Sequence, residues 1–126
     1  TMKAINTPFA PQAIGPYVQA NQHGNIIYTS GQIPLTKDGV LAGEDIKTQT
    51  HQVMKNIEAI LIEGGSDMTR LIKTTCFLSD MNNFAAFNEV YASYFERNLP
   101  ARSCVEVARL PRDVLVEVEV IAVIPL

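Results

Sequence analysis

Charge is scarce in this sequence. Its 126 residues include 10 Lys and Arg and 13 Asp and Glu, a formal net charge of −3. There is no run of Lys or Arg, and Arg109 and Arg112 flanking Pro111 do not make a groove. A mildly acidic chain without a basic stripe is not expected to take nucleic acid as a partner. Long apolar runs are missing too, and no signal-peptide pattern is visible, so neither a membrane span nor secretion is expected. Cysteine is limited to Cys76 and Cys104, in separate predicted strands. Without a secretion signal they read as reduced thiols, and the protein as cytoplasmic. The only histidines are His23, in a turn, and His51, on a helix, with no second ligand at metal spacing. Repeats and low-complexity tracts are absent. Thr1 ahead of Met2 reads as an added residue.

What is present suits one compact domain spanning residues 1–126. Apolar residues make up 47% of the chain, which is globular and not disordered. Short strands are expected near Lys3–Asn6, over Tyr17–Ala20 and over Ile26–Ser30. Pro8, Pro11, Gly15 and Pro16 make the ground between the first two irregular. Residues 21–25 read as a turn, with Gly24 free to take positive φ. Gly31, at the end of the third strand, permits close approach of a ligand or of other backbone. Asp45 is the expected N-cap of a first helix. Val53, Ile57, Ile60 and Leu61 form its buried stripe, and Gly64-Gly65 stops it. A strand follows over Arg70–Leu78. Asn82 or Asn83 caps a second helix with an inward stripe of Phe84, Phe87, Tyr91 and Tyr94 or Phe95, which Asn98 and Pro100 end.

The densest information lies between Pro100 and Pro111. This stretch alternates as a strand does, with Ser103, Val105 and Val107 on one face and Arg102, Cys104 and Glu106 on the other. The last strand, Val114–Ile124, has a fully apolar face of Val114, Val116, Val118, Val120, Ala122 and Ile124. Its other face mixes Leu115, Ile121 and Val123 with Glu117 and Glu119. The order β-β-β-α-β-α-β-β provides two helices, enough for one face of a sheet. The second face is therefore expected to be buried against other subunits. Charges caught there need partners, and Arg102 is the natural one for a glutamate or for an anionic ligand. Arg102, Cys104 and Glu117 form the candidate site.

The chain resembles the reactive-intermediate (imine/enamine) deaminase family, RidA/YjgF. The matching blocks are Ala13-Ile14-Gly15-Pro16-Tyr17, Thr29-Ser30-Gly31-Gln32-Ile33-Pro34, Lys73-Thr74-Thr75, the whole of Pro100 to Pro111, and Val116-Glu117-Val118-Glu119. Within that family it looks most similar to the purine-regulation-associated bacterial branch. The resemblance implies a chorismate-mutase-like α+β fold, a mixed sheet with two helices packed on one face. It implies a homotrimer with clefts between subunits and no cofactor or metal. It implies hydrolysis of 2-imino acids, or of enamines such as 2-aminoacrylate, to 2-oxo acids and ammonia. Carried over by position, Arg102 binds the substrate carboxylate and Glu117 orients water. Cys104, Tyr17, Ser30, Gly31 and Asn88 line the pocket.

The residue types suit that chemistry. A guanidinium matches a carboxylate with paired hydrogen bonds. Imine hydrolysis needs a placed water and a proton acceptor, not a covalent nucleophile. Plainer readings stand beside these. Cys104 is a small buried apolar side chain or a catalytic thiol; Glu117 is a proton carrier or an interface ion-pair residue. Tyr17 is pocket-lining or packing at an interface, and Asn88 pocket-lining or merely exposed on its helix. At the level of function, a 2-iminobutanoate/2-iminopropanoate deaminase competes with a non-catalytic regulator binding small ligands of purine or amino-acid metabolism. A translation inhibitor or endoribonuclease is a third reading, which the acidic balance disfavours.

Overall fold

The computed structural model describes residues 2–126, so Thr1 lies outside the described residues. The elements come in the expected order: β1 (Met2–Ile5), β2 (Ala20–His23), β3 (Ile26–Thr29), α1 (Ile46–Glu63), β4 (Leu71–Leu78), α2 (Phe84–Ala92), β5 (Ala101–Glu106) and β6 (Val116–Val123). The strands form one six-stranded mixed sheet in the order β1-β2-β3-β6-β4-β5. Only β4 and β5 pair in parallel, with α2 as the crossover that a parallel pair requires. No helix is long and apolar enough to cross a membrane among the described residues.

Both helices lie on one face of the sheet. α1 begins at Asp45, whose carboxylate accepts from the Thr48 amide at 3.0 Å. Its stripe Val53, Ile57, Ile60 and Leu61 is fully buried against Ile27, Val116, Val118 and Ala122. Asn83 stands at the N-cap position of α2, as expected, but its side chain makes no capping hydrogen bond. Asp80, not an asparagine side chain, accepts from the Asn82 amide at 2.9 Å and starts the 3-10 turn Met81–Asn83 that leads into the helix. The helix also ends early, at Ala92, and Tyr94 and Phe95 follow it in turn conformation while still packing on the core.

Three other expectations shift. β2 runs from Ala20 to His23 instead of Tyr17 to Ala20, because Gly24 at φ 61° turns the chain tightly enough for His23 to pair with Ile26. Leu115 lies just ahead of β6 and turns toward the helices, its amide donating to Gln49 Oε1 at 2.8 Å. β5 stops at Glu106; the Val107 amide makes a last bond to the Leu78 carbonyl at 2.9 Å before the chain leaves the sheet, and Val107 and Leu110 pack with Ile33, Leu35 and Val114. The face opposite the helices stays uncovered within the chain. There Tyr28 is 50% and Val105 46% exposed, beside half-buried Phe77, Ile121 and Val123.

The irregular segment before β2 hangs on one residue the sequence pattern does not single out. Gln19 is buried; its Oε1 accepts from the Thr7 amide at 2.8 Å. Its Nε2 donates to the carbonyls of Thr7 at 3.1 Å and Pro11 at 3.0 Å, with Ala10 at 3.4 Å. Gln19→Leu keeps the bulk but strands these groups, each worth roughly 1–3 kcal/mol when buried without a partner. The variant is expected to lose stability in urea unfolding and to be cleaved between residues 7 and 14 under limited proteolysis. Wild-type stability and resistance would refute this anchoring role.

Candidate functional site

The seven residues singled out in the sequence separate into two groups on opposite faces of the sheet. Strand register decides this. Cys104 pairs with Cys76, and Cys76 with Val118, all on the helix-covered face. Glu117 pairs with Phe77, one position along, and so points to the uncovered face. Arg102 pairs with Thr74, which is fully buried, and shares the side of Cys104. The face of β5 that carries Arg102 and Cys104 therefore looks toward α2, and its apolar Val105 looks outward. Within one chain Arg102 does not meet Glu117 or Glu119, and its expected pairing with a glutamate is replaced by another contact.

That contact is Asn88. Arg102 Nη1 donates to Asn88 Oδ1 at 2.7 Å. The guanidinium carbon lies 4.9 Å from the Tyr91 ring centroid, 5.5 Å from Phe84 and 5.9 Å from Phe87. No ion pair engages Arg102 among the described residues. The strand thus presents a half-buried cation that has aromatic faces and one amide as neighbours and lacks an acid. Phe84, Phe87, Asn88 and Tyr91 fall at i, i+3, i+4 and i+7 of one helix face. An asparagine in the middle of an aromatic stripe was the available sequence signal for this arrangement. Glu106, the third residue of this strand face, is occupied elsewhere, accepting from the Met81 amide at 2.7 Å.

Cys104 lines this first half-site. Burial pushes its thiol up, and the nearby Arg102 offsets this only in part. Cys76 beside it is pushed up to about 12, again chiefly by burial. A thiol kept protonated at neutral pH is a poor nucleophile, so a pocket-lining role fits Cys104 better than covalent catalysis.

The second half-site gathers Tyr17, Ser30, Gly31 and Glu117. They line an open groove of about 240 Å³ with Ile14, Ile33 and Pro111. Tyr17 folds back on its own segment, its Oη accepting from the Ile14 amide at 3.3 Å. Ser30 Oγ donates to the Val18 carbonyl at 2.6 Å. Gly31 is glycine for a steric reason: a Cβ there would collide with the Glu117 carboxylate, whose Cδ lies 2.8 Å from that position. Burial raises the Glu117 pKa above the ordinary carboxylate value, and Glu119 on the same face adds to the rise. A carboxyl so placed can hold or release a proton closer to neutrality than a surface glutamate.

The sign of the Glu117 shift sets a stability test. A raised carboxyl contributes stability below its unfolded-state pKa and loses it as pH rises through the folded value. Glu117→Gln is therefore expected to stabilise the fold relative to wild type at pH 7 and to lose that advantage at pH 4. Equal unfolding midpoints for the two proteins at pH 7 would contradict the burial reading.

The chain is similar to known proteins along nearly its whole length. The family model described as Endoribonuclease L-PSP matches residues 7–124. A protein of Lactococcus lactis named putative regulator AldR is 54% identical over 122 residues, covering 96% of this chain and 97% of that one. A 2-iminobutanoate/2-iminopropanoate deaminase of Escherichia coli is 48% identical over 124 residues, covering 96% and 97%. Among solved structures, Escherichia coli TdcF with bound serine is similar at a TM-score of 0.93 and 44% identity, covering 98% of this chain and 99% of that one.

Proposed function

Because the chain belongs to the endoribonuclease L-PSP family, which takes in the RidA/YjgF proteins, we propose that it is a 2-iminobutanoate/2-iminopropanoate deaminase. On this reading it hydrolyses cytoplasmic 2-imino acids, and enamine tautomers such as 2-aminoacrylate, to 2-oxo acids and ammonia. The observation that carries the reading is the split site: an unpaired guanidinium on one face of the sheet and a proton-holding carboxyl in a groove on the other. Neither half is sufficient alone. The uncovered sheet face, with Tyr28 and Val105 exposed, supplies the surface on which identical chains can pack. A homotrimer brings the Arg102, Asn88 and Cys104 group of one copy to the Tyr17, Ser30, Gly31 and Glu117 group of the next.

The chemistry follows from the two halves. Arg102 takes the substrate carboxylate through the donors that Asn88 leaves free. An enamine first gains a proton at carbon and gives one up from nitrogen, becoming the imine. Water then adds to the C=N carbon, losing a proton to Glu117, while the nitrogen gains one. The resulting carbinolamine expels ammonia and leaves the 2-oxo acid. Charge pairing, orientation and one proton carrier are all this route demands. The bound serine in the TdcF structure supports a ligand of amino-acid size.

The second reading is a regulator that binds the same acids without turnover, and the name of the Lactococcus relative favours it. Turnover decides between them. With 2-aminoacrylate supplied by a serine dehydratase, the protein is expected to accelerate release of ammonia and pyruvate. No acceleration would leave the regulator. Arg102→Lys is expected to lower kcat/KM about 10- to 100-fold, the worth of a lost charge-assisted hydrogen bond. Activity is expected to fall as pH drops through the raised Glu117 pKa, because the base is then protonated. Light scattering is expected to give three times the 13.9 kDa chain mass. The sharpest measurement is complementation. Arg102→Ala and Glu117→Gln are each expected to be inactive, but co-assembled they should regain activity in clefts formed by one intact half from each. Failure to complement in verified mixed assemblies would sink the shared cleft.

A further inference from the structure

The aromatic setting of Arg102 exceeds what packing demands. Phe87 and Tyr91 are buried, but Phe84 is 36% exposed and still faces the guanidinium at 5.5 Å. A partly exposed phenylalanine turned to a cation is not there to fill a core. Tyr91 is the nearest ring, and its orientation is fixed independently of Arg102. Its hydroxyl lies 2.7 Å from Thr74 Oγ1, a buried hydrogen bond. Thr74 is also the residue directly across from Arg102 in the β4–β5 register. One threonine therefore locates both the strand that carries the cation and the ring on which it rests.

We propose that Tyr91 and Phe84 are positioning residues that aim the Arg102 guanidinium at a small carboxylate ligand. The inference rests on the reading of Arg102 as the anion-binding group and extends it to the residues that hold it ready. Arginine is long and flexible, and a free guanidinium would have to be ordered each time a ligand arrived. Here three rings of α2 lie within 5.9 Å of the guanidinium carbon, and Asn88 takes Nη1. The remaining donor edge is left for two carboxylate oxygens. The working part of Tyr91 is its π face, since its hydroxyl is already committed to Thr74. Lysine at position 102 would lack the flat group that the rings orient.

The test combines a spectroscopic and a binding measurement on the full-length protein. Arg102 side-chain δ and ε protons, assigned by comparison with Arg102→Lys, are expected upfield of their free-peptide positions because they sit over the rings. Phe84→Leu and Tyr91→Leu are expected to move them downfield, and Tyr91→Phe to keep them in place. The dissociation constant for 2-oxobutanoate is expected to rise about 3- to 30-fold in Tyr91→Leu, the range of a partly to fully desolvated cation–π contact. Tyr91→Phe is expected to restore most of the affinity. If imine turnover is measurable, KM is expected to rise more than kcat falls. Phe84→Leu, at a partly exposed site, covers the case in which Tyr91→Leu fails to fold. Unshifted Arg102 protons in folded Phe84→Leu or Tyr91→Leu would overturn the proposal, as would wild-type affinity in both. Shifted protons and weakened 2-oxobutanoate binding in a protein that hydrolyses no imine would support the positioning role and remove the deaminase reading instead.

Discussion

The two-residue period of a β-strand governs this protein's chemistry more than any single contact. Neighbouring side chains on a strand leave the sheet on opposite sides. Register carries that rule from β5 through β4 to β6, and it puts Arg102 beneath α2 and Glu117 in the groove by Gly31. A shift of one residue in β6 would turn Glu117 and Glu119 into the helix-facing core and its valines out of it. The valines of β6 lock the register against this, since Val116, Val118, Val120 and Ala122 all need the covered face. Fold stability and separation of the reactive groups are one constraint.

Much of the architecture was legible because the periodicities are strong. The α1 stripe, the alternation in β6 and the Asp45 cap each follow from local pattern, and the structure bears them out. Failures cluster where local pattern competes with distant partners. Tyr17 to Ala20 reads locally as a strand, but the Gln19 side chain reaches across to residues 7, 10 and 11, and its carbonyl takes one last bond from β3's end, the Ser30 amide at 2.9 Å, before the ladder stops. Asn82 and Asn83 are good caps by type, yet Asp80 already occupies that function one turn earlier. The candidate residues were legible as a set but not as two sets. Alternation within β5 and within β6 says which residues share a face of each strand. It does not say which face of β5 aligns with which face of β6, because that depends on β4 lying between them.

The two readings proposed above make different demands on this scaffold: both need a small acid to be gripped, and only turnover needs water delivered to it. On those readings gripping falls to the α2–β5 side and proton handling to the β3–β6 side. The two requirements therefore sit on different surfaces and can be altered separately.

The tight fit between Gly31 and Glu117 bears on how the protein can change over generations. While the carboxyl is present, any side chain at position 31 evicts it. If the carboxyl is lost first, that prohibition lifts, and position 31 is free to acquire a side chain. A glutamate restored later then has to swing its carboxyl into another rotamer, so positions 31 and 117 are tied together by the space of a single methyl group.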